Sequence, residues 1–171
     1  MVSFLLRPVR QLALALVAND SPRQVAWGFT LGMLAVLVPK GSLLAMGLFM
    51  SVCALRVNKP AGLLALALFS MVGTWLDPFA HAIGALALTW EPARSLHAWL
   101  YQLPLGPWLG LNNTVTLGQL AIGLYLAYPV YHITRVSVSR LQPRVVAWLQ
   151  RYRAIRWLTG LELGARLGID G

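Results

Sequence analysis

Between positions 23 and 59 the chain reads RQVAWGFTLGMLAVLVPKGSLLAMGLFMSVCALRVNK. Two uncharged runs, 24–39 and 41–55, meet at one Pro39-Lys40-Gly41 break. Arg23 closes one end of the stretch, and Arg56 and Lys59 close the other. Each run has the composition of a membrane helix. Each is also shorter than the ~20 residues that a helix needs to cross a hydrocarbon layer of about 30 Å. A lysine on a Pro-Gly turn between two such pieces reads as the tip of a membrane hairpin.

The rest of the chain carries the same signal. From position 24 to 134 the only formal charges are Lys40, Arg56, Lys59, Asp77, Glu91 and Arg94. Overall 11% of residues are charged and 58% hydrophobic, against roughly 25% charged in soluble domains. A water-soluble fold would have to expose too much apolar surface. The reading is an all-α integral membrane protein forming a single membrane domain over 1–171. It has an interfacial helix at 1–19, a membrane core at 22–133 and a basic amphipathic tail at 135–158.

The net charge of +9 is mostly arginine. These arginines flank apolar segments and alternate with Trp and Tyr, so anionic lipid headgroups fit them better than nucleic acid. The single cysteine, Cys53, allows no intrachain disulfide and no zinc site.

Taken in order, 1–19 puts Leu5, Val9, Leu12 and Leu16 on one helical face with Arg7 and Arg10 off it, as an interfacial helix would. It lacks the cleavage pattern of a signal peptide. Ser21 is placed to N-cap the next helix, with Pro22 at its first position. Gly28 and Gly32 in that helix give a small-xxx-small spacing that admits a second backbone. Asp77-Pro78 is expected to break the chain again. That leaves 79–90 as a re-entrant piece, which is tolerated where protein covers its backbone. Trp90, Trp99, Tyr101 and Trp108 suggest an aromatic belt at a membrane surface. The stretch 115–133 is the longest expected span. Basic loops favour the cytoplasmic side, which puts both termini and the 56–59 loop there. The first three helices then cross out, in and out, and 115–133 returns.

Lys40 is the sharpest candidate for chemistry. It is either a lysine reaching from a loop to the far surface or a cation facing a cavity and holding an anion. Asp77 is either an N-cap for a helix starting at Pro78 or a partner for Lys40 where the two breaks converge; the two roles are compatible. His81 falls one turn beyond Asp77. Arg56, Asn58 and Lys59 make a polar cluster suited to lipid phosphate or to fixing topology. Glu91 and Arg94 have the spacing of a helical ion pair. There is no nucleophile motif, Walker loop, dinucleotide fingerprint or metal-ligand spacing. His81, His97 and His132 are scattered, and five carboxylates leave no acid–base pair to place. The chain reads as non-enzymatic, with no catalytic residue, cofactor or metal.

The segments at 21–29, Gly32, Pro39-Lys40-Gly41 and Arg56-Val57-Asn58 resemble the bacterial membrane family catalogued as domain of unknown function 2062. Leu76-Asp77-Pro78, Ile83-Gly84 and the run LNNTVTLG at 111–118 look like a short, stand-alone branch of it. The resemblance covers about 21–153. The broader family usually has Asn where Asp77 stands. The likeness implies a small bacterial inner-membrane protein and brings no established activity or catalytic residues. Some relatives are joined to glycosyltransferase-like domains, which by analogy points to envelope lipids.

The expected function is binding, and helping to translocate, an anionic or polyprenyl-type lipid. The lipid phosphate would sit on Lys40, with Asp77 and His81 nearby. The alternative is a scaffold that anchors a larger envelope complex, with a membrane protein or a second copy of the chain as partner.

Overall fold

The computed structural model describes residues 21–151, with side chains as far as Pro143. The described residues form helices and short connections, with no strand. The all-α expectation holds. The expected helices at 1–19 and beyond 151 lie outside the described residues.

Helix α1 spans Pro22–Leu37. Its start follows from local chemistry. Ser21 Oγ accepts from the Gln24 N–H, and Gln24 Oε1 accepts from the Ser21 N–H at 2.9 Å, a reciprocal capping box. Its end is equally local. Val38 stands before a proline and is extended (φ −70°, ψ 133°), because the proline ring disfavours the helical region for the residue before it. Helix α2, Leu43–Ala54, starts on Ser42, which accepts from the Ala45 N–H at 3.2 Å. Helix α3, Lys59–Thr89, starts on Asn58, whose Oδ1 accepts from the Ala61 N–H at 2.7 Å. Two 3-10 turns flank the short helix α4, Arg94–Gln102. Helix α5 runs Thr114–Arg151.

Three long helices make the bundle. Gly28 of α1 lies against the backbone of Asn58, and Gly32 against that of Gly62. The numbers rise together, so α1 and α3 run parallel. Gly84 lies against the Thr114 backbone and Gly118 against that of Ala80. Here the order reverses, so α5 runs antiparallel to α3. The buried residues of α3 are all Ala or Gly: Ala61, Gly62, Ala65, Gly73, Ala80 and Gly84. Without bulky side chains between them, the backbones approach closely, and many weak dispersion contacts add up.

Helix α1 is the central element, buried along much of its length, and it joins Met33, Leu34 and Leu37 to Ala65 of α3. At its start, Val25, Ala61 and Val138 bring the three long helices together. Helix α2 is covered only at Ala45 and Val52.

Two expectations need correction. Asp77-Pro78 does not break the chain. Helix α3 runs unbroken through Pro78 to Thr89, 31 residues in all, so 79–89 is its last third and not a re-entrant piece, and Asp77 is no N-cap. Proline inside a helix removes one hydrogen bond and costs about 3 kcal/mol. Here the packing of Ala80 and Gly84 on α5, just past the proline, offsets that cost. Likewise the helix expected at 115–133 does not stop there. Helix α5 is continuous through Pro129 and Pro143, so the basic tail begins as its extension. Among the described residues the helix long and apolar enough to cross a membrane is α3.

Candidate functional site

The unequal lengths of the helices create the site. At 1.5 Å per residue, α1 is about 24 Å long and α3 about 46 Å. The two start level, because the Asn58 N–H donates to the Gln24 carbonyl at 3.1 Å. Helix α1 therefore ends beside the middle of α3, where Gly73 meets Leu37. The 38–42 turn, the middle of α3 and the first turns of α5 enclose a cleft of about 250 Å³. Its walls include Leu37 and Val38, and its polar groups belong to Lys40, Ser70, Thr74, Asp77 and Gln119.

The turn that presents Lys40 is held from within. Pro39 O accepts from the Ser42 N–H at 3.1 Å and from Ser42 Oγ at 2.9 Å. Lys40 itself is exposed and makes no hydrogen bond or ion pair among the described residues.

On the opposite wall, Gln119 is 4% exposed. Its Nε2 donates to Asp77 Oδ1 at 2.5 Å and to the Gly73 carbonyl at 3.2 Å. Asp77 is half-buried. Pro78 has no N–H, so the Thr74 carbonyl lacks its helical donor. The cleft thus joins an exposed ammonium to a carboxylate held by Gln119 and a spare carbonyl acceptor. Lys40 is the one cation in this lining and can pair with a phosphate or carboxylate.

The structure separates the residues that the sequence grouped. Lys40 and Asp77 line one cleft, but they form no ion pair; among the described residues the only salt bridge joins exposed Glu91 and Arg94 at 3.3 Å. Such an exposed pair contributes little. His81 is not in the cleft lining: its Nδ1 is hydrogen-bonded to Thr114 Oγ1 at 2.7 Å. Arg56, Asn58 and Lys59 lie at the other end of α1. Arg56 and Lys59 are exposed, whereas Asn58 is 1% exposed and serves as the α3 cap. Gly28 and Gly32 are filled by this chain's own α3 and so present no free face to a partner.

Gln119, Ser70 and Thr74 were not singled out from the sequence. The available signal was Gln119, a lone amide inside the uncharged run 115–133. Nothing in the sequence paired it with a residue 42 positions earlier.

No protein-family model matches the chain, and no solved structure matches it. An uncharacterised protein of Treponema pallidum (strain Nichols) is similar to it, 29% identical over 135 residues, which span 79% of this chain and 83% of the relative.

Proposed function

We propose that the chain is a multi-pass bacterial inner-membrane protein that binds an anionic or polyprenyl-type envelope lipid in the Lys40–Asp77 cleft, as a step in moving that lipid across the bilayer. The observation that carries this reading is an ammonium with no partner among the described residues, lining the same cleft as a carboxylate anchored by Gln119. An ammonium at membrane depth is costly, about 3 kcal/mol on insertion scales, and a bound anion offsets that cost.

The surface supports a membrane setting. Only 17% of the most apolar stretch of α3 is buried inside the molecule. A core helix of a soluble protein would be mostly covered. Met71, Trp75, Phe79 and Leu86 all face outward on α3, and lipid solvates such a face. The scaffold reading loses one of its warrants, because Gly28 and Gly32 already pack within the chain.

The test is Ser70→Cys in a Cys53→Ser background, which puts the thiol in the cleft lining and keeps Lys40, labelled with a membrane-impermeant maleimide in vesicles. Added polyprenyl phosphate should slow the labelling several-fold, and a neutral polyprenol should not. Equal labelling rates with and without the phosphate would remove the cleft as the lipid site.

A further inference from the structure

The end of the bundle remote from the cleft carries a second pattern. Val25, Ala61 and Val138 pack together there, which draws Arg23, Arg56, Lys59, Arg135 and Arg140 to one end from three separate chain segments. None of these cations forms an ion pair among the described residues. The acids in the described residues, Asp77 and Glu91, lie elsewhere on the bundle: Asp77 in the cleft and Glu91 just beyond the far end of α3. Arg23, Arg56, Lys59 and Arg140 are exposed, and Arg135 is half-buried.

Aromatic rings sit one helical turn inward of these cations. Trp27 is four residues along α1 from Arg23, and Tyr131 is four residues before Arg135 on α5. Because the two helices run antiparallel, the rings meet, with centroids 4.9 Å apart. His132 packs on both Tyr128 (4.5 Å) and Tyr131 (5.4 Å). Trp27 and Tyr128 remain 50% and 73% exposed. An outer ring of cations that form no ion pair among the described residues, with an inner ring of exposed amphipathic aromatics, matches the layering of a lipid surface, charged phosphate outside and acyl boundary within.

From this we infer that the Arg23/Arg56/Lys59/Arg135 end, with the Trp27–Tyr131 stack, is a collar that binds the headgroups of anionic phospholipids in one leaflet. This rests on the membrane reading but not on a ligand in the cleft. The collar lies about 24 Å from Lys40, the length of α1. With the collar at one surface of a hydrocarbon core of about 30 Å, Lys40 lies deep within it, so the two sites are distinct.

The experiment is native mass spectrometry of the full chain released from mixed micelles holding equal phosphatidylglycerol and phosphatidylcholine. Phosphatidylglycerol adducts should exceed phosphatidylcholine adducts several-fold. Arg23→Gln with Arg56→Gln and Lys59→Gln, all at exposed positions without ion pairs among the described residues, should bring the ratio close to one, a several-fold fall. Lys40→Gln should leave it unchanged, which separates the collar from the cleft. A circular dichroism spectrum equal to that of the native chain certifies the fold of the triple variant. A ratio near one in the native chain overturns the inference, as does a triple variant that keeps the native preference. Displacement of phosphatidylglycerol by millimolar inorganic phosphate would replace the lipid collar with a simple anion site.

Discussion

Gln119 Nε2 lies 2.5 Å from Asp77 Oδ1 and 3.2 Å from the Gly73 carbonyl, so one buried amide ties α5 to α3 at the proline step. Leucine in its place keeps the volume and deletes the donor. Hydrogen bonds to charged groups contribute about 1.5–3 kcal/mol, so Gln119→Leu should lower stability by about that amount. Thermal unfolding in detergent reads this directly. An unchanged midpoint would mean that the amide does not hold the carboxylate.

The glycines divide into two kinds, and a methyl group distinguishes them. At Gly32 an added Cβ meets the backbone of Gly62, which has no flexible end to move aside. Gly32→Ala should push α1 off α3 and destabilise by about 2 kcal/mol or more, the range of overpacked cores. Gly47 lies in α2 with nothing within 4 Å of the added atom. There alanine should be neutral or stabilise by up to about 1 kcal/mol, since glycine is a poor helix former. Equal melting temperatures for the two variants would contradict the close α1–α3 crossing.

Met71 distinguishes lipid from water as the solvent of α3. It is 74% exposed. In water a lysine there is harmless. In hydrocarbon it costs about 3 kcal/mol. Met71→Lys should therefore reduce membrane insertion, measured as the fraction of the chain that resists carbonate extraction. Retention equal to that of the native chain would count against lipid as the solvent of this face.

The first helix start was legible because it depends on neighbouring residues alone: Ser21 caps α1 within three residues, and Pro39 ends α1 through its own ring. Ser42 and Asn58 cap the next two helices in the same local way, but they were not singled out as caps from the sequence. Pro78 misled for the same reason. The local rule reads a boundary, but tertiary contacts of Ala80 and Gly84 keep the helix going. Lys40 and Asp77 were recognisable as unusual, since isolated charges stand out in an apolar run. Gln119 was not, because an amide attracts attention only once its partner is known.

By itself the sequence determined an all-helical chain, the Pro39-Lys40-Gly41 turn, and the placing of charge outside the apolar runs. These are matters of capping, ring geometry and composition, which act over a few residues. The tertiary structure decided which breaks were real, that Gly28 and Gly32 face their own chain, and that His81 turns to Thr114 while Gln119 takes Asp77. Those outcomes depend on the register of α1 and α5 against α3. That register is set by close backbone contacts between residues 30 or more positions apart, where no periodicity in the sequence reaches.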